Sequence, residues 1–129
     1  MLEGVSEILP ALSKSYRLIL ATKGDLLDQN LKLDKSGLRK YFRNVEVMNE
    51  KNEEDYLEIF ERLNINPSEF LMIGNSLKSD IIPVLNIGGY AVYVPYHTTW
   101  LNEMTDEKIE SPKFFEVSNL RDILDLLNV

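Results

Sequence analysis

The segment from residue 69 to residue 95 constrains the fold of this chain more than any other part of it. A continuous apolar run, Phe70–Ile73, ends in a polar loop at 74–80, and a second apolar run follows at Ala91–Val94. This order of strand, loop, helix and strand predicts two parallel strands joined by a helical crossover. A polar loop at the carboxyl end of a parallel strand is where open α/β sheets place their chemistry.

Three further segments predict the remaining strands. Leu18–Ala21 is continuous, as expected of a strand covered on both faces, whereas Val45–Met48 alternates like an edge strand with one wetter face. Phe114–Val117 predicts a short strand at the periphery. We expect the four main strands to run parallel, near residues 17–21, 45–48, 70–73 and 90–94.

Three amphipathic helices complete the pattern. Apolar residues repeat at i, i+3, i+4 and i+7 in stripes that begin at Val5, Tyr56 and Leu120. Strands that alternate with helices predict an α/β fold, namely a three-layer sandwich around a mostly parallel, Rossmann-like sheet. A length of 129 residues favours a single domain over residues 1–129.

Composition argues against several classes of function. The net charge of −7 disfavours binding to nucleic acid or to an anionic membrane, because phosphate groups attract clustered Lys and Arg. The densest basic stretch, Lys35–Arg43, predicts a solvated helix face, with a weak anion-binding patch as the alternative. The absence of cysteine excludes zinc–thiolate sites and thiol nucleophiles within this sequence. No apolar run approaches the roughly 20 residues that span a bilayer, and we expect a cytoplasmic protein.

Polar residues follow the first two predicted strands. Thr22 comes directly after the first apolar run, where its hydroxyl can cap the next helix or hydrogen-bond a phosphoryl oxygen at that helix N-terminus. Lys51 follows the alternating strand among several carboxylates. It can remain exposed and pair with Glu50 or Glu53, or it can neutralise charge on an anionic substrate or intermediate.

The loop after the third strand offers oxygen ligands. Asn75 supplies an amide oxygen and Asp80 a carboxylate, and both are hard ligands that suit Mg²⁺. Alternatively, Ser79 and Asp80 cap a helix over residues 80–86. Because all these loops follow successive parallel strands, we expect their polar side chains to meet at one end of the sheet.

The order of these loops resembles the haloacid dehalogenase superfamily. Thr22, Lys51 and the Gly-Asn-Ser loop through Asp80 match the second, third and fourth motifs of that family, and the likeness extends over Leu2–Pro95. The resemblance implies that Thr22 contacts the phosphoryl group and that Lys51 stabilises an aspartyl intermediate. The implied phosphate-binding residues are Thr22, Lys23, Asn75 and Ser76, and the implied metal ligands are Asp80 and Asn75.

One motif of that family is missing. Its nucleophile lies in an Asp-x-Asp motif after the first strand, and no such motif occurs in this sequence. Asp25, Asp28 and Asp34 lie after Thr22, in a predicted helix or at its exit, and cannot replace the nucleophile. We therefore expect this chain to be the C-terminal part of a longer protein.

The missing motif also removes the central strand of the family fold. Uncovered strands expose unpaired backbone groups. We therefore expect residues 17–21 to pair directly with 70–73, or another chain to cover the gap, for example in a homo-oligomer.

The resemblance implies a Mg²⁺-dependent phosphatase that acts on a small phosphorylated metabolite, with this chain inactive by itself. Two alternatives remain open at this point: a dehalogenase on the same scaffold, and a non-catalytic anion-binding or regulatory module. His97 and Trp100 follow the last main strand and could line the rim of the crevice.

Overall fold

The computed structural model describes residues 5–95 and 109–128, which fall into two compact units. The first unit comprises residues 1–50 and 119–129, and the second comprises residues 51–118. The expectation of a single domain over residues 1–129 stays a prediction.

The first unit contains a two-stranded parallel sheet and three helices. In chain order its elements are α1 (Val5–Ser15), β1 (Ile19–Lys23), α2 (Leu26–Ser36), a 3₁₀ turn (Arg39–Tyr41), β2 (Asn44–Met48) and α5 (Asp122–Leu126). β1 pairs with β2 so that Ile19 lies opposite Asn44. α1 buries Ile8, Leu9 and Leu12, the apolar stripe that its spacing predicted.

The second unit contains a three-stranded parallel sheet with the order β3-β4-β5. Its elements are α3 (Glu53–Leu63), a 3₁₀ turn (Pro67–Glu69), β3 (Leu71–Gly74), a π-helical turn (Leu77–Ile81), α4 (Ile82–Asn86), β4 (Tyr90–Tyr93) and β5 (Phe114–Glu116). Ile81, Ala91 and Tyr93 form a buried cluster that Leu77 and Phe114 pack against. The segment at 74–80, predicted as a polar loop, therefore runs from the end of β3 into a core-packed helical turn.

Helix α3 shows how local sequence sets the ends of an element. Asn52 caps its start, because the side-chain oxygen accepts a hydrogen bond from the Asp55 amide at 3.0 Å. Asn64 ends it in the left-handed conformation, with a φ of 57°. Between these caps, Tyr56, Ile59 and Phe60 are buried, as the predicted stripe requires.

The predicted strands are confirmed, and every described strand pair is parallel. The described strands form two separate sheets, β1-β2 and β3-β4-β5. Among these strands, residues 17–21 therefore do not pair directly with residues 70–73. Cover by another chain stays a prediction. Within the described residues β1 has only half-buried and exposed positions, whereas β4 has three buried ones, so the cover on both faces that was expected of β1 is not confirmed.

None of the described helices is long and apolar enough to cross a membrane.

Candidate functional site

A buried ion pair lies at the carboxyl end of β3. The Lys51 amine contacts Asp80 Oδ1, and the two side chains are 11% and 6% exposed. The exposed pairing with Glu50 or Glu53 that the sequence allowed is therefore wrong for Lys51. Charged groups withdrawn from water to this degree are stable only when they are paired and hydrogen-bonded.

The backbone at Lys51 adopts an unfavourable conformation. Its φ of 54° lies in the left-handed region, where a side chain meets the following carbonyl oxygen. This conformation costs roughly 1–2 kcal/mol for a residue other than glycine. Strain of this kind persists where the surrounding structure determines it, and it is concentrated at functional sites. At this position it accompanies a lysine whose amine reaches a buried carboxylate.

The loop that carries Asp80 is held by its own backbone. The Ser76 amide donates to Asp80 Oδ2 at 3.2 Å, and Ser76 Oγ accepts a hydrogen bond from the Ser79 amide at 3.1 Å. The residue that caps the helical turn is therefore Ser76 rather than Ser79 or Asp80. Asp80 thus accepts hydrogen bonds on both carboxylate oxygens, one from Lys51 and one from the start of the turn.

Gly74 leaves the space that the Asp80 side chain occupies. A Cβ placed on Gly74 would lie 2.5 Å from Asp80 Cβ and closer still to the carboxylate. We expect Gly74→Ala to lower the free energy of unfolding by about 1–3 kcal/mol, because overpacking at a buried site forces neighbouring groups to move. Chemical denaturation of the two proteins measures this difference.

A matched background isolates the cause of that loss. In a chain that already carries Asp80→Gly, the atoms that would clash are gone, so the same Gly74→Ala change should cost much less. An equal loss in both backgrounds would contradict the steric explanation.

Sequence reasoning assigned Tyr56 to the core and missed a polar role. Its side chain is 1% exposed, and its hydroxyl donates to the Ser79 carbonyl oxygen at 2.9 Å. Burial raises the pKa of Tyr56 above its ordinary value, and the charges of Asp80 and Asp55 add to this effect. The hydroxyl therefore keeps its proton and remains a donor. The signal in the sequence is a tyrosine on a buried stripe five residues after Lys51.

A second contact joins α3 to α4 at the protein surface. Asn86 Nδ2 donates to Glu53 Oε1 at 2.9 Å. This hydrogen bond, together with one from the backbone of Glu53, lowers the pKa of Glu53 below its ordinary value. The contact links the first turn of α3, which directly follows Lys51, to the end of α4.

Thr22 and Lys23 belong to the other unit. Thr22 lies inside β1 rather than after it, and Asp25 caps α2 by accepting a hydrogen bond from the Asp28 amide at 3.2 Å. The expectation that Thr22 caps this helix is therefore wrong. Thr22 is half-buried and Lys23 is exposed. Their convergence with the buried ion pair stays a prediction.

The basic stretch at 35–43 matches its solvated interpretation. Its four cationic side chains are exposed, and Arg39 pairs with Asp34 at 2.6 Å on the surface.

Magnesium is the cofactor that the family resemblance implies, and the described residues supply only part of a site for it. Among residues 5–95 and 109–128, no three His, Cys, Asp or Glu side chains come together. Asp80 provides one carboxylate, whose charge Lys51 balances. Asn75 is half-buried in the same loop and carries an amide oxygen. These two donors fit Mg²⁺ as members of a larger ligand set and do not form a complete site. His97 and Trp100 lie outside the described residues.

Comparison with known proteins supports the same family. The chain is 32% identical over 106 residues to N-acylneuraminate-9-phosphatase of Homo sapiens, a match that covers 78% of this chain and 40% of that protein. It is 29% identical over 126 residues to glyceraldehyde 3-phosphate phosphatase of Methanothermobacter thermautotrophicus, which covers 92% of this chain and 56% of that protein. The chain thus spans about half the length, or less, of these curated relatives.

Solved structures share the fold over nearly the whole chain. A haloacid dehalogenase-like family hydrolase from Xanthomonas campestris superposes with a TM-score of 0.83 at 34% sequence identity, over 98% of this chain and 49% of that chain. The family model for haloacid dehalogenase-like hydrolases matches residues 1–88. With its parallel α/β architecture and its motif loops in the expected order, this chain belongs to the haloacid dehalogenase-like hydrolase family.

Proposed function

We propose that the protein to which this chain belongs is a Mg²⁺-dependent phosphatase of a small phosphate ester. The observation that carries the proposal is the buried Lys51–Asp80 pair beside the carboxyl end of β3, at the positions that the third and fourth family motifs occupy. The named relatives are phosphatases, which favours this chemistry over dehalogenation.

Each residue of the proposed site has a chemical task. A carboxylate nucleophile that this chain does not supply attacks phosphorus and forms an acyl phosphate. The bond from phosphorus to the ester oxygen breaks, and the leaving alkoxide takes a proton from a general acid or from water. Water then hydrolyses the acyl phosphate, which releases phosphate and restores the carboxylate. The Lys51 ammonium neutralises negative charge that grows on the phosphoryl oxygens. Thr22, Lys23, Asn75 and Ser76 are the proposed phosphate contacts.

Asp80 and Asn75 are the proposed contributors to the metal site, with further ligands from outside the described residues. A bound Mg²⁺ would supply charge neutralisation at the phosphoryl group. Asp80 also fixes the position of the Lys51 amine through the ion pair. A single substitution at this residue is therefore expected to disturb both metal response and turnover.

The test is Asp80→Ala in a version of the protein that includes an upstream Asp-x-Asp strand. Turnover of a generic phosphate ester is measured over a range of Mg²⁺ concentrations. We expect activity to fall by about 10²-fold or more and the response to Mg²⁺ to weaken with it, since an interaction made in the transition state is lost. Circular dichroism verifies that the variant is folded.

Glu58→Ala is the matched control for charge, because Glu58 is an exposed carboxylate of the same unit. Its activity and Mg²⁺ response should equal those of the unsubstituted protein. If Asp80→Ala behaved like Glu58→Ala, the metal assignment would be wrong. If the unsubstituted protein lacked turnover on every ester tested, the phosphatase proposal itself would fail.

A further inference from the structure

We propose that Tyr56 is a positioning residue that fixes the Lys51–Asp80 pair by holding the backbone directly before Asp80. The family motifs account for Lys51 and Asp80, whereas Tyr56 belongs to none of the motif loops. Its significance for the reaction rests on the proposed function, but its mechanical role follows from contacts within one unit of the structure.

The hydroxyl of Tyr56 binds the residue next to the carboxylate. It donates to the Ser79 carbonyl oxygen at 2.9 Å, and Ser79 immediately precedes Asp80. With 1% of the tyrosine exposed, water does not compete for this hydrogen bond. The peptide bond between Ser79 and Asp80 is therefore held by a buried hydroxyl. The Asp80 side chain extends from that peptide, so the hydrogen bond also restrains the carboxylate.

The local sequence removes one helical donor that would otherwise be available to the Ser79 carbonyl. In an α-helical register its partner would be the amide of residue 83, which is proline and has no N–H. The preceding turn is instead π-helical, with the Ile81 amide donating to the Ser76 carbonyl at 3.2 Å. Such turns are rare and occur frequently at functional sites. Pro83 thus removes the amide that an α-helical register would offer, and the Tyr56 hydroxyl donates to the Ser79 carbonyl.

The ring of Tyr56 is itself held in place. It meets Phe70 edge-to-face, with centroids 6.5 Å apart and an interplanar angle of 63°. Phe70 also packs against Phe60, with ring centroids 4.5 Å apart. Phe60 lies one turn after Tyr56 on α3. Aromatic pairs prefer edge-to-face and tilted arrangements, so these contacts favour the observed orientation of the ring. The hydroxyl is therefore presented to the Ser79 carbonyl by a rigid support.

A single helix thus connects the two halves of the ion pair. Lys51 lies directly before Asn52, the cap of α3, and Tyr56 projects from the first turns of that helix to the loop of Asp80. Movement of α3 relative to the loop would have to break the tyrosine hydrogen bond. We infer that this bond sets the distance between the Lys51 amine and the Asp80 carboxylate.

The test compares the reactivity of two lysines under native conditions. The unsubstituted chain and Tyr56→Phe are treated briefly with an amine-acylating reagent, and labelling is measured by mass spectrometry. Lys51 reports on the ion pair, and Lys113 is the internal reference, since its amine donates to the Gly88 carbonyl at 3.0 Å in the same unit. We expect Tyr56→Phe to raise Lys51 labelling about threefold to tenfold, the factor for one ordinary hydrogen bond, with Lys113 unchanged.

Ile59→Val is the control for general loosening of α3, because it removes a buried methyl group from the same helix and leaves the Tyr56 hydroxyl and its aromatic contacts in place. It should leave the ratio of Lys51 to Lys113 labelling unchanged. A parallel rise of both lysines in Tyr56→Phe would overturn the proposal, since the hydroxyl would then serve only global stability. Labelling of Lys51 in the unsubstituted chain as high as that of Lys32, whose side chain is 66% exposed, would overturn it as well, because the pair would not be protected. Labelling requires no turnover, so these outcomes are independent of whether the phosphatase proposal holds.

Discussion

We expect the 129-residue chain alone to hydrolyse phosphate esters about 10⁶-fold more slowly than a version extended upstream by a strand that ends in Asp-x-Asp. Loss of the nucleophile lowers turnover by a factor of this size in other enzymes. The reason is chemical. The sequence contains no Asp-x-Asp motif, and Lys51 and Asp80 are already engaged with each other. Charge stabilisation by such a pair lowers the barrier for an attack, but it does not supply the attacking carboxylate.

The measurement is turnover of a generic phosphate ester by both versions, with Mg²⁺ present. Uncatalysed hydrolysis of phosphate monoesters is so slow that enzymes accelerate it by up to about 10²¹-fold, so residual catalysis by the short chain remains easy to distinguish from background. A change of the upstream Asp nucleophile to Asn in the extended version is the matched control, because it restores the fold without the nucleophile. Comparable turnover by the short and extended chains would show that residues of the short chain carry the chemistry.

The second large effect concerns stability. We expect Lys51→Met to lower the free energy of unfolding by about 3–5 kcal/mol, because it leaves the Asp80 carboxylate buried without a counter-charge. Methionine retains most of the side-chain volume and occupies the same left-handed backbone, so the loss reports mainly on the charge. Denaturation by urea at neutral pH measures the change.

Two controls separate this explanation from a general effect of losing a lysine. Lys32→Met removes one partner of an exposed pair, Lys32–Asp28, whose side chains are 66% and 56% exposed. That change should cost no more than about 0.5 kcal/mol, as is usual for surface pairs. In the double variant Lys51→Met with Asp80→Asn, no charge is left buried, so most of the stability lost in the single variant should return. A loss for Lys51→Met as small as that for Lys32→Met would refute the buried-pair assignment.

Local sequence was sufficient where the structure depends on neighbours along the chain. The apolar stripe at Ile8, Leu9 and Leu12 is buried on α1 as its spacing predicted, because helical periodicity is a property of the backbone. The predicted ends of the strands differ from the observed ends by no more than two residues. Their parallel pairing followed from the alternation of strands with helices. The family motifs drew attention to Lys51 and Asp80, which the structure brings together in a buried ion pair.

Local sequence failed where several residues compete for one local role. Thr22 was a reasonable cap for α2, but β1 extends through it and Asp25 takes the cap. Ser79 and Asp80 were reasonable caps for the helix after β3, but the turn begins earlier and Ser76 takes that cap. Hydroxyl, amide and carboxylate side chains all satisfy helix N-termini, so their identity does not decide which of them does so.

The sequence by itself determined the family, the parallel α/β architecture and the loops that carry the candidate site, because these depend on periodicity and on the order of motifs. The tertiary structure decided which charges are buried and which side chains hold them. Lys51 looks like a surface residue among carboxylates, yet it pairs with Asp80, which lies 29 positions away, and Tyr56 looks like core, yet it binds the Ser79 carbonyl 23 positions away. Burial of a charge or a hydroxyl depends on whether folding brings a partner to it from a distant segment, and local spacing does not contain that information.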